Sequence, residues 1–272
     1  MNQGRHAPSF TPIWLHGVSV IAPGLADWPQ AAAVLRGEQA WAHAPSVLPP
    51  AQALPAAERR RASRVVRLAL ALGQRALDGQ DPADIATVFT SSGADGHNCH
   101  ALCEQLAGED RAISPTRFHN SVHNAAAGYW GIATRSMAPS QVLCAYDASL
   151  GAGWIDAMGQ LSDGAAEVLL VAYDSEYPEP LHACRPVPDA AGIALWLGTA
   201  PRERSLGTLH GALTRDPVDT LAAAPLEGLR RAFPALRGLP LLERIARGDD
   251  RPVVLDYLAP QHLRLRFTPR QP

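Results

Sequence analysis

The chain has 272 residues, 47% of them hydrophobic and 18% charged, with a formal net charge of −2. This suffices for one large domain or two small ones around a real core, and it excludes a disordered chain. The near-neutral balance offers nucleic acid no electrostatic handle. All 24 basic residues are Arg, which excludes Schiff-base lysine and P-loop chemistry.

The opening MNQGRHAPSFTPIWLHG lacks the apolar core of a signal peptide. No run reaches the roughly 20 apolar residues of a membrane span. Cys99, Cys103, Cys144 and Cys184 in a chain of this length read as reduced thiols, so a cytoplasmic location without a membrane span is expected.

In chain order, residues 12–23 (PIWLHGVSVIAP) predict a buried first strand and 28–36 a short helix stopped by Gly37. Residues 41–57 hold several Pro and read as loop. Residues 56–77 predict one long amphipathic helix, ended by Gly79 and Pro82. A second strand over 84–91 leads through a turn with Gly93 and Gly96 into a helix over 97–106. Residues 121–137 predict a helix with Ser121 capping its first turn, broken at Pro139 and Ser140. Residues 141–145 read as a short strand, 148–161 as a helix and 166–172 as a strand. A Pro-rich loop spans 176–189. Residues 192–198 and 206–213 read as two strands antiparallel to each other, 221–233 as a helix, and 253–258 and 263–267 as closing strands. Strands alternating with helices argue for α/β layers on a mixed, mainly parallel sheet.

Asp147 sits on the predicted strand-to-helix turn, where enzymes often hold a nucleophile. An Asp there is also a favoured helix cap, and the residue pattern alone favours capping. His97, Cys99, His100 and Cys103 have zinc-ligand chemistry, but no second ligand pair appears, and buried Cys on an apolar helix face is the favoured reading. Cys144 as a nucleophile with His119 or His123 as base is disfavoured, because it falls inside the strand before the turn. The arginines at 60, 64 and 67 form a stripe best read as a solvated helix face.

Ser114-Pro115, Asn124, Ala127-Gly128, Pro139-Ser140 and Gly164-Ala165-Ala166-Glu167-Val168 fall in step with the pattern of a β-ketoacyl-acyl-carrier-protein synthase. The opening VSVIAPGLADW resembles the first strand and loop of the same enzymes. The resemblance covers roughly residues 12–198 and implies a thiolase-like fold with a truncated second lobe. Residues 1–198 would form the ketosynthase-like N-terminal lobe, and residues 199–272 a shortened remnant or cover of the second lobe in the same domain.

In this register the family's nucleophilic Cys falls on Asp147, and the histidine motifs of the second lobe are absent, with His210 and His262 isolated. The chain thus resembles a chain-length factor, the inactive partner of a heterodimeric type II polyketide ketosynthase. SPTRFHNSVHNAAAG is similar to the small ketosynthase-like proteins of aryl polyene clusters. The resemblance implies no cofactor, no catalytic residue, an active ketosynthase as heterodimer partner and indirect contact with acyl carrier protein. Thr116, Arg117, Phe118, Ser121, His123 and Asn124 would lie at the partner interface and its acyl tunnel, and Asp147 would cap its helix at the vacant nucleophile position. The alternatives are a stand-alone acyl-thioester decarboxylase or hydrolase using Asp147, and a metal-binding module built on His97, Cys99, His100 and Cys103.

Overall fold

The computed structural model describes residues 11–271, so part of the signal-peptide reading, on residues 1–10, lies outside the described residues, as does Pro272. The first strand, β1, is Ile13–Ile21. Helix α1 (Trp28–Arg36) follows local rules at both ends: Asp27 accepts from the amide of Gln30, and Gly37 closes it at φ +80°.

The predicted long helix is two, α2 (Ala56–Arg61) and α3 (Arg64–Leu77). Ser63 is extended and its hydroxyl accepts from the Val66 amide, so a cap interrupts what apolar spacing alone reads as continuous. Next come β2 (Ala86–Thr90), α4 (Gly96–Ala107), α5 (Pro115–His119), α6 (Ala125–Thr134) and β3 (Ser140–Leu143). A 3-10 turn, Tyr146–Ala148, leads into α7 (Ser149–Ser162), followed by β4 (Glu167–Asp174), the single turn α8 (Leu181–Cys184), β5 (Ala191–Gly198) and β6 (Gly207–Thr214). The chain closes with α9 (Ala224–Ala232), a 3-10 turn at Pro234–Leu236, α10 (Leu239–Arg247), β7 (Val253–Leu255) and β8 (His262–Pro269).

Among the described residues the eight strands form one mixed sheet in the order β3-β2-β4-β5-β1-β6-β8-β7. The predicted parallel majority is corrected: β3, β2 and β4 run parallel, and every other pairing is antiparallel. Between β4 and β5 the chain carries only the single turn of α8, and it returns antiparallel. β5 and β6 do not pair with each other. Both flank β1 antiparallel and therefore run parallel to one another.

Both faces of the sheet are covered, and the strand side chains divide between them with period two. Val168 and Leu170 of β4 enter the core made with α1, α7, α9 and α10. Leu169, Val171 and Tyr173 enter the core made with α3 and α6, where Trp130 packs on Gly73. Each such fully buried side chain stabilises by roughly 1.5–3 kcal/mol. Among the described residues no helix is long and apolar enough to cross a membrane.

Candidate functional site

β3, β2 and β4 end together, and at the carboxyl ends of such parallel strands α/β proteins collect their polar groups. Here the turn after β3 is held by Ser149, whose hydroxyl accepts from the Ala145 amide at 3.0 Å and donates to the Tyr146 carbonyl at 2.7 Å. Thr90 of β2 donates to the Ser149 carbonyl. α7 can sit this close because Gly153 faces Leu170 and Thr90, and Gly151 faces Tyr257 and the Asp256 carbonyl. An added Cβ would stand within 3.0 Å of each neighbour.

The left-handed backbone at this elbow belongs to Tyr146, with φ +52°, and not to Asp147. The expected capping role of Asp147 is also corrected. Asp147 is the middle residue of the 3-10 turn that precedes α7, and the N-cap of α7 is Ala148, which carries no side-chain bond. The Asp147 carboxylate turns instead to arginines brought in by later segments, accepting from Arg185 at 2.8 Å with Arg237 at 3.8 Å. The Arg185 guanidinium also lies over the Tyr146 ring, 3.6 Å from its centroid. Arg237 continues to Asp256, which Arg230 also binds. With Asp147 half exposed, its ion pair is worth no more than about 1 kcal/mol.

Beneath the elbow, Asp174 is buried at the end of β4. It accepts from the Ser92 amide and hydroxyl, the Ser91 hydroxyl and the Ala235 amide. Burial pushes its pKa up, opposed by the bonds from Ser92 and Ala235. Tyr177 seals the neighbouring turn. A Cβ on Gly93 or Gly96 would lie within 2.1 Å of its ring or hydroxyl, which explains both glycines.

Cys144 follows β3 and donates its thiol to the Ser92 carbonyl at 3.4 Å, with no histidine among its hydrogen-bond partners. Neither His119 nor His123 bonds Asp147. His119 packs edge-on to Tyr129, and Nε2 of His123 is buried without a partner. The chemistry on hand is therefore that of a braced surface turn rather than an acid–base pair.

The predicted helix over 121–137 starts only at Ala125. Ser121 donates to the Phe118 carbonyl and closes α5, and Asn124 holds the N-cap position without a side-chain bond. Thr116 is half-buried, whereas Arg117 and Phe118 are exposed, Phe118 at 66%. Asn120, absent from the sequence reading, ties this region down by donating to the Arg61 carbonyl and accepting from the Tyr129 hydroxyl.

Cys99 and Cys103 are exposed, not buried as expected, because α4 buries only Gly96. Although exposed, Cys99 is partly desolvated on α4, and this together with the neighbouring Cys103 raises its thiol pKa. His97 and His100 face Glu176 and Glu104 respectively, and among the described residues no three His, Cys, Asp or Glu groups converge on a metal position.

The sequence reading also missed Tyr146, Arg185, Arg237 and Asp174. Asp174 carried one signal, as a carboxylate ending an apolar strand. The two arginines carried none, because only folding brings them to the elbow.

No curated protein sequence matches the chain. It shares its fold with a chain from the complex of the ketosynthase ApeO with its chain length factor ApeC from Xenorhabdus doucetiae. That match has a TM-score of 0.72 at 23% identity and covers 94% of this chain and 99% of the other. The ishigamide ketosynthase/chain length factor gives 0.70 at 14% identity, over 95% and 99%. A bacillaene synthase module 1 ketosynthase from Bacillus amyloliquefaciens FZB42 gives 0.55 at 13% identity, with 77% of this chain covering 47% of that one. The family of the beta-ketoacyl synthase N-terminal domain matches residues 28–224, and the chain belongs to that family.

Proposed function

We propose that the chain is a non-catalytic, chain-length-factor-like subunit that pairs with an active β-ketoacyl synthase during chain elongation on an acyl carrier protein. The observation that carries this reading is the free edge at β3. It is one of the sheet's two outermost strands, with Ser140 and Gln141 exposed, and the exposed Phe118, Val122, Ile132 and Tyr146 belong to the segments on either side of it in the chain. Pro139, Gln141 and Leu143 bond toward β2, so Ser140 and Val142 turn their backbone groups outward. Such an edge pairs readily with another chain.

The elbow supports the non-catalytic part of the reading. It carries Tyr146 and an arginine-bound Asp147, and a carboxylate cannot take an acyl group from a thioester into a thioester of its own. Thr116, Arg117, Phe118, Ser121, His123 and Asn124 would face the partner and its acyl tunnel. Residues 199–272 would act as a shortened cover in place of a second lobe, a role supported by the contacts of Tyr257 and Gly238 with α7. The SPTRFHNSVHNAAAG segment further supports an aryl polyene type of cluster, and the four free thiols support a cytoplasmic setting.

Co-expression with the ketosynthase encoded in the same gene cluster tests the pairing. One heterodimer peak on size exclusion at micromolar concentration is expected, with an interface of standard size or larger. Two separate peaks would overturn it.

A further inference from the structure

Tyr146 belongs to neither hydrophobic core of the protein. Its side chain is 60% exposed, yet its backbone is left-handed at φ +52°, a conformation disfavoured for a residue of this size. A glycine would hold the same turn without strain. The ring is nevertheless fixed. Ser149 donates to the Tyr146 carbonyl, Arg185 lies over one ring face at 3.6 Å, and Asp147 holds Arg185 at 2.8 Å. The structure thus maintains a strained turn in order to present one rigid aromatic ring to the outside, three residues beyond the last residue of β3.

We infer that Tyr146 is the preorganised aromatic anchor that seats this chain on its ketosynthase partner, an inference that rests on the pairing proposed above. A fixed Tyr loses little rotamer freedom on binding, and Tyr and Arg are the side chains that dominate interface energetics. Tyr146 follows the last residue of β3 by three residues, so a partner paired along that edge would reach the elbow that carries the ring. Its stacked face is taken by Arg185, which leaves the other face for an apolar partner surface. Asp147 then acts as the brace of the brace, and its carboxylate has a use at this position without any chemistry.

Affinity for the co-encoded ketosynthase and the melting temperature of the isolated chain test the inference. Tyr146→Gly relieves the strain, so the isolated chain should melt higher, while the complex weakens by roughly thirtyfold. Tyr146→Phe retains the ring and should bind like the unaltered protein. Val142→Pro, which blocks the strand edge, should abolish binding. If Tyr146→Gly binds undiminished while Val142→Pro does not, the anchor is overturned and the edge pairing stands. If both bind undiminished, the edge pairing falls as well.

Discussion

At one side of the sheet β3 shows Ser140 and Gln141 to solvent, whereas at the other β7 is buried over its whole length. Both strands are short, but their outward backbone groups have different fates. Val254 of β7 donates its amide to the Asp219 carboxylate at 2.8 Å, and its carbonyl accepts from the Asp219 amide at 2.9 Å. One residue thereby closes that edge. Among the described residues β3 has no such partner, and it carries no charged residue of its own, the usual guards of an edge strand. The contrast teaches that the fold can block an edge with a single residue and does so at β7. The open edge lies beside the elbow, where the family resemblance expects a second subunit.

The joint between the two sides is the first place to break this contrast. Asp174→Ala leaves the Ser92 and Ala235 amides buried without an acceptor, and thermal or urea unfolding should show a loss of about 3–5 kcal/mol. A loss under about 1 kcal/mol would mean that the sides do not depend on this bridge. Asp219→Ala should cost about 1–3 kcal/mol and open the β7 edge, seen as concentration-dependent self-association in sedimentation. If the variant stays monomeric, Asp219 is not the guard. Val142→Pro should change the stability of the isolated chain by no more than about 0.5–1 kcal/mol, because the lost amide faces outward, and Gln141 before it is already extended.

The smallest effect is a control away from both edges. His16 is buried at the irregularity between β1 and β5, with Nδ1 2.9 Å from the Ser205 hydroxyl and its ring edge-on to Trp196. Burial holds its pKa below the ordinary 6.5, against the opposing pull of Glu167. The unfolded chain then binds the proton more readily, so this contribution to stability is complete above about pH 6.5 and declines as pH falls toward the depressed value. Urea midpoints should drop between pH 7.5 and 5.5, and His16→Gln should lessen the drop. No drop in the unaltered protein would remove His16 as its source.

Local rules made much of this legible. Asp27 and Gly37 delimit α1 by themselves, and Ala86–Thr90 and Glu167–Asp174 are apolar runs of strand length with turn residues around them. Helix α10 went unread although Pro240 in its first turn and Gly248 after its end are ordinary start and stop signals. Ser63 was likewise visible as a cap within the predicted long helix, but apolar periodicity outweighed it. Strand direction was less accessible. The antiparallel return of β5 depends on how the chain between Ser175 and Ala190 packs, and no side-chain pattern records direction.

The candidate site divides the same way. The family pattern and the absence of Cys from position 147 can be read from one-dimensional spacing, because each is a matter of residue type and order. The arginines that hold Asp147 and the choice of which sheet edge stays open both depend on segments distant in sequence. Arg185 lies 38 residues beyond Asp147, and Asp219 lies 35 residues before Val254. Such long-range contacts form only when the core draws the strands and helices together, so only the tertiary structure decided them.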